Sequence, residues 1–263
     1  MMVGRIEGKV AIITGSGQGI GRGIAIAFAR EGAKVVVVDW RSSAVDEVVE
    51  EINQLRKRVL GVVCDVGNEG EVKRMVGRTV EKFGHVDILV NNAQAWGPRG
   101  GHDANIPLIP LEELPEDVWD NTFQTGVKAT FYCCKAVFPY MRDTGGKIIN
   151  FGSYWGMLGK EGAAAYNANK EAIRSLTRTA AREWGKYRIN ANVICPSAAT
   201  NSLISWAEEH PEEYQQRLQS LPLGRYGDPE KDIGRVALFL ASDDANFVTG
   251  CTVMADGGLF MRA

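Results

Sequence analysis

Seven short apolar runs, most of them rich in valine and isoleucine, recur along the chain at residues 9–14, 34–39, 59–65, 86–91, 147–152, 188–195 and 251–255. Each gives way to residues of helical period. That alternation constrains the fold more than any other feature, because parallel strands need long crossover connections and a helix is the usual one. Several runs are continuous rather than alternating, as in Val35-Val36-Val37-Val38. A strand apolar on both sides has helices on both sides. The expected fold is α/β: a doubly wound, seven-stranded parallel sheet flanked by helices. No composition shift divides the 263 residues, so 1–263 is expected to be one domain.

Two stretches break the rhythm, and both follow strands at the edge where open α/β sheets bind ligands. Residues 94–115 hold Gly97, Pro98, Gly100, Gly101, Pro107 and Pro110 and read as a long loop. Residues 196–227 contain a polar helical segment, 202–219, broken near Pro211. These two are the expected substrate-binding segments.

The first strand runs into Thr14-Gly15-Ser16-Gly17-Gln18-Gly19-Ile20-Gly21, after which helical period resumes. A glycine-rich turn between a buried strand and a helix lets backbone N–H groups and the helix dipole meet a pyrophosphate with no side chain in the way. Gly15, Gln18, Gly19, Ile20 and Gly21 are therefore candidate cofactor contacts. Asp39 ends the second strand, 18 residues past Gly21, where a carboxylate can accept hydrogen bonds from ribose hydroxyls. It would repel a 2′-phosphate by about 4 kcal/mol at contact under an effective dielectric near 20. NAD is the expected cofactor, with Arg41, two residues on, as a cation able to offset part of that repulsion.

Tyr166-Asn167-Ala168-Asn169-Lys170 puts a phenol and an ammonium at i and i+4, on one helix face. The expectation is that Lys170 lowers the phenol's pKa, which asks roughly 3–4 kcal/mol of Lys170 and the nicotinamide charge together. Ser153 lies 13 residues upstream, just past the fifth strand, placed to hold a substrate oxygen beside the phenol. Ser153, Tyr166 and Lys170 are the candidate catalytic residues.

With these motifs in this order, the chain resembles the short-chain dehydrogenase/reductase family over nearly its whole length. The resemblance also rests on Asp65-Val66, Asn91-Asn92-Ala93, Pro196 and Asp256-Gly257-Gly258. It implies hydride transfer between nicotinamide C4 and an alcohol carbon, with Tyr166 exchanging the hydroxyl proton. It further implies that Asp65 and Val66 border the adenine, that Asn91, Asn92 and Ala93 flank the cofactor, that Lys170 binds the nicotinamide ribose, that the main chain after Ile194 meets the carboxamide, and that Pro196 is a cofactor contact. Homo-oligomerisation, as tetramer or dimer, is implied as well.

The chain departs from the family pattern at Gln94, where the motif has glycine, and at Ser197, where glycine usually follows the proline. Asn201 stands where a cofactor-contacting threonine is common, with Thr200 beside it. The largest departure is Gly126, where the family generally has a catalytic asparagine whose amide fixes its helix and a relay water. A relay that is weakened or rerouted is the expectation.

Trp96, Trp155 and Trp206 fall near strand ends or in the projecting segments, and with Gln94, Ser153 and Tyr166 they are the candidate substrate contacts. The tryptophans either line an apolar pocket suited to a cyclic or aromatic alcohol or ketone, or pack a loop or interface. His102 and His210 lack metal-ligand spacing, the five cysteines read as reduced core residues, and no metal is expected. A net charge of -2 with interspersed signs argues against nucleic acid, and no membrane-length apolar run or secretory leader is visible. A small-molecule substrate and a cytoplasmic location are expected. Ser153 has no Gly-x-Ser-x-Gly surroundings, which argues against a hydrolase. The other readings are a nucleotide-binding regulatory or scaffold protein that lost turnover, and an epimerase or dehydratase, which the short chain disfavours.

Overall fold

The computed structural model describes residues 4–55, 57–97, 106 and 108–261. All seven apolar runs are strands: β1 (Val10–Thr14), β2 (Lys34–Asp39), β3 (Val59–Val63), β4 (Ile88–Asn91), β5 (Gly146–Phe151), β6 (Ile189–Pro196) and β7 (Thr252–Ala255). They form one parallel sheet in the order β3-β2-β1-β4-β5-β6-β7. The helices are α1 (Gly19–Arg30), α2 (Ser42–Gln54), α3 (Glu69–Phe83), α4 (Glu116–Phe123), α5 (Ala129–Met141), α6 (Tyr154–Leu158), α7 (Ala164–Trp184), α8 (Asn201–Glu209), α9 (Pro211–Ser220) and α10 (Arg235–Ala241).

The four valines of β2 show why the run is continuous. Val35 and Val37 pack into a core with Ile24, Phe28, Val48 and Leu238 of α1, α2 and α10, while Val36 and Val38 pack into a second core with Met75, Cys133 and Val137 of α3 and α5. Side chains alternate across a strand, so both registers must be apolar when both faces are covered. Each valine buried this way contributes roughly 1.5–3 kcal/mol.

Strand order reverses between β1 and β4, and the two chain segments leaving their carboxyl ends diverge there. A crevice at that reversal is where open parallel sheets take ligands. The glycine-rich turn after β1 and Asn92-Ala93 after β4 open onto it. Pro211 begins α9, where its missing N–H costs nothing, which accounts for the break expected in the 202–219 segment. A wide π turn, Gln124–Lys128, with buried Gly126 at its centre, joins α4 to α5 and has no counterpart in the sequence pattern.

Candidate active site

The turn after β1 is built from backbone close approaches. Gly15 has φ +62, and a Cβ there would stand 2.7 Å from the Ala93 Cα; one on Gly21 would stand 2.2 Å from the Gly15 carbonyl oxygen. Neither position has room for a side chain. Asn92 clamps the turn from β4, its Nδ2 donating to the carbonyls of Thr14 at 3.1 Å and Gly15 at 3.0 Å. The N–H groups of Asn92 and Ala93 donate to Thr14 Oγ1, each at 3.1 Å. No side chain caps the start of α1, which opens directly on Gly19 and Ile20. A helix end in that state favours an anion.

A cavity of about 530 Å3 spreads from this turn across the sheet edge, within the size range of small-molecule and cofactor sites. Of the expected cofactor residues, Gly15, Gln18, Gly19, Ile20, Asp39, Asp65, Val66, Asn92 and Ala93 line it. Gly21 lies behind the turn and Pro196 ends β6, and these two, with Asn91, Tyr166 and Lys170, are not on the lining. Asp39 is buried, its Oδ2 accepting from Gly17 N–H at 3.2 Å and its Oδ1 from the N–H of Arg41 at 3.1 Å and from Arg41 Nε at 3.2 Å. The cation anticipated two residues on is thus turned onto the carboxylate. Trp40, Cys64, Gln124, Thr125, Thr200 and Asn201 also line the cavity, and of these the sequence pattern points to the cofactor only at Thr200 and Asn201. The signal for Trp40 and Cys64 was available: each adjoins an acidic residue at the carboxyl end of a strand, the ligand edge. Together the glycine cradle, the uncapped helix end and the Asp39 carboxylate on the cavity wall fit a nicotinamide dinucleotide.

The catalytic candidates meet at the end of β5. Ser153 follows it, buried, with Oγ accepting from Trp155 N–H at 3.2 Å and so starting α6. Helix α7 buries the i+4 row Ala165, Asn169, Ile173, Thr177 and Ala181. The adjoining row carries Tyr166 and Lys170 to the strand end, where Lys170 Nζ donates to the Phe151 carbonyl at 3.1 Å. Lys170 is 4% exposed, and burial pulls its pKa from 10.5 down to about 8. Burial likewise drives the Tyr166 phenol up to about 12, with hydrogen bonding from Ser153 acting in the opposite direction. A lowered phenol is not what the protein alone gives: burial is the largest effect on it. The Lys170 ammonium lies 5.6 Å from the ring centroid, and desolvation dominates.

Trp96 and Trp155 both meet Tyr166 edge to face, at centroid distances of 5.0 Å and 5.9 Å. Trp96 lines both the large cavity and a small apolar cleft that Tyr166 and Leu114 also line, so its ring partitions the two. Trp206 is not brought to the site. Its ring stacks on His210 at 5.1 Å and carries the Arg217 guanidinium at 3.9 Å, inside the α8–α9 hairpin. His102, with most of the glycines and prolines of the 94–115 segment, lies outside the described residues.

Gly126 has no space for the side chain that the family pattern would place there. A Cβ would sit 2.3 Å from both terminal atoms of the Asn169 carboxamide. Asn169 Oδ1 accepts from Val127 N–H at 2.7 Å, and its Nδ2 donates to Gln94 Oε1 at 2.8 Å. Gln94 Nε2 in turn donates to the carbonyls of Ala95 and Thr122, each at 3.0 Å. The expectation that Gly126 leaves its turn without a fixing amide is corrected: Asn169, arriving from α7, supplies one.

With this geometry, the chain belongs to the short-chain dehydrogenase/reductase family of oxidoreductases. Residues 15–260 match the family model described as enoyl-(acyl carrier protein) reductase. The chain is 41% identical over 267 residues to a 12alpha-hydroxysteroid dehydrogenase of a Clostridium species, covering 99% of this chain and 100% of that one. It is 35% identical to a 3-oxoacyl-[acyl-carrier-protein] reductase of Thermotoga maritima, covering 97% and 99%. Among solved structures it matches a 7 alpha-hydroxysteroid dehydrogenase complexed with NADH and 7-oxo glycochenodeoxycholic acid at a TM-score of 0.87 and 35% identity, covering 97% and 95%. No finding favours the scaffold reading that the departures at Gln94, Ser197 and Gly126 suggested.

Proposed function

We propose that this oxidoreductase transfers hydride between NAD(H) and a secondary alcohol or ketone carried on an apolar ring system, of the hydroxysteroid kind. The observation that carries the reading is the Tyr166 phenol set between Trp96 and Trp155 with Ser153 beside it. Flat apolar walls around a proton donor suit a rigid ring skeleton, and the hydroxysteroid dehydrogenases at 41% and 35% identity support the same class. The preference for NAD rests on Asp39, whose buried carboxylate opposes a 2′-phosphate even with Arg41 turned onto it.

Nicotinamide supplies the hydride donor or acceptor at C4 when bound. Gly15, Gln18, Gly19, Ile20 and Gly21 would cradle its pyrophosphate, Asp39 its adenosine ribose, Asp65 and Val66 its adenine, and Asn92, Ala93, Lys170 and Pro196 the nicotinamide end. Ser153 orients the substrate oxygen through its hydroxyl. Tyr166, protonated at neutral pH, hands its proton to a ketone oxygen. In the opposite direction the Tyr166 phenolate, with the Lys170 ammonium beside it, takes the alcohol proton and becomes the phenol again.

Segments 94–115 and 196–227 are assigned to substrate binding around the one nucleotide-binding domain. Assembly as a homotetramer or dimer is supported by exposed Trp119, Phe131 and Tyr140 on α4 and α5. No described helix is long and apolar enough to cross a membrane, and all five cysteines are free thiols, in keeping with a reducing compartment such as the cytoplasm. The test is NADH formation from NAD with a panel of hydroxysteroids, monocyclic alcohols and small acyclic diols. Turnover concentrated on the ring-bearing alcohols is expected; turnover confined to 3-oxoacyl thioesters with NADPH would contradict the reading.

A further inference from the structure

A π turn inserts one extra residue into a helical ladder, and the N–H groups it displaces need acceptors from elsewhere. In the Gln124–Lys128 turn that acceptor is not local. It is the Asn169 Oδ1, reaching from α7 to Val127 N–H at 2.7 Å. Asn169 is fully buried, on the helical turn that carries Lys170, and its other amide atom continues to Gln94 and from there to the carbonyls of Ala95 and Thr122. Gln94 and Thr125 both line the dinucleotide cavity, and Ala95 N–H donates to Thr125 Oγ1 at 3.2 Å. One carboxamide therefore ties three things together: the helix bearing the acid/base pair, the π turn, and the cavity wall leading to Trp96. The arrangement exists only because residue 126 is glycine, since a Cβ there would stand 2.3 Å from that carboxamide.

We propose that Asn169 is a positioning residue for the reaction, its carboxamide seated in the space left by Gly126 and holding the Tyr166/Lys170 helix in register with the Gln94 wall of the cofactor cavity. The inference rests on the oxidoreductase reading for its kinetic part only. Interlocking of Asn169 with Gly126 is a statement about packing and is readable without turnover.

The experiment is a cycle of four proteins: wild type, Asn169→Ala, Gly126→Asn and the double variant Gly126→Asn/Asn169→Ala. Thermal unfolding and steady-state kinetics are measured on each at one protein concentration. Gly126→Asn alone forces two amides into one space and is expected to lower Tm sharply. In the double variant the new carboxamide occupies the volume that Asn169 vacated, so Tm recovers most of that loss: the same substitution is harmful in one background and tolerated in the other. For Asn169→Ala, kcat is expected to fall on the order of 10- to 100-fold with KM for NAD within about threefold, as for a group that aligns reactants rather than binds them. The double variant is expected to regain at least tenfold of that loss.

Additive effects on Tm would overturn the interlock. A restored Tm with kcat equal in all four proteins would overturn the positioning role and leave a packing contact. If wild type turned over no alcohol or ketone, the proposed function would fail, while the Tm cycle alone would still decide whether Asn169 and Gly126 share one space.

Discussion

Lys170 is held in the protein at a cost, and replacing it with methionine exposes that cost. Its pKa falls from 10.5 to about 8 through burial, a difference of about 2.5 units. At about 1.4 kcal/mol per unit, keeping the ammonium charged and buried near pH 7 costs roughly 3 kcal/mol relative to the unfolded chain. Methionine fills similar volume without a charge but abandons the hydrogen bond to the Phe151 carbonyl, a loss of roughly 1–2 kcal/mol. Lys170→Met is therefore expected to be inactive and more stable than wild type by about 1–2 kcal/mol near pH 7. The pH dependence gives the sharper signature. Because the folded pKa is depressed, the unfolded chain binds more protons between about pH 8 and 10.5, so wild-type stability rises with pH across that interval. Methionine has no such proton, and its advantage should shrink by about 2 kcal/mol from near pH 7 to near pH 9.5. The assay is urea unfolding of both proteins at both pH values and one protein concentration. A stability difference that does not change with pH would refute the reasoning.

Other perturbations probe the cofactor cavity and the aromatic walls. Asp39→Ser removes the carboxylate and frees Arg41, so the NAD/NADP ratio of kcat/KM should fall about tenfold or more; an unchanged ratio removes Asp39 from the account of specificity. Gly21→Ala brings a methyl to 2.2 Å from the Gly15 carbonyl oxygen, and cofactor affinity measured by fluorescence titration should weaken at least tenfold. Trp96→Ala removes one wall of the Tyr166 site and should raise KM for a ring-bearing substrate about tenfold or more while KM for a small acyclic alcohol moves little.

Every strand of the sheet was legible in the sequence, because burial on both faces writes itself as an uninterrupted β-branched run, as Val35 to Val38 illustrate. The glycine turn and the Ser153, Tyr166 and Lys170 spacing were legible for a related reason: each depends on local chain geometry, a close backbone approach or an i,i+4 helix pair. What the sequence hid is what tertiary packing decides. Gly126 read as a missing amide, since nothing in residues 125–131 shows that Asn169, 43 positions on, fills the space from another helix. The Tyr166 pKa is a further case: the i,i+4 rule fixes proximity to Lys170 but not burial, and in the protein alone burial is the larger effect. Trp206 illustrates the same limit: its place in a projecting segment said nothing about the Arg217 and His210 side chains that claim its ring.

The central claim is that the Tyr166 phenol moves the proton in an NAD-linked alcohol/ketone interconversion. Its most direct measurement compares NADH formation by wild type and by Tyr166→Phe at saturating NAD, on the hydroxysteroid that wild type turns over best, with NADH affinity determined for both. Loss of about 10²–10⁴-fold in kcat with NADH affinity unchanged is the predicted result. A Tyr166→Phe enzyme within a few-fold of wild type would contradict the claim.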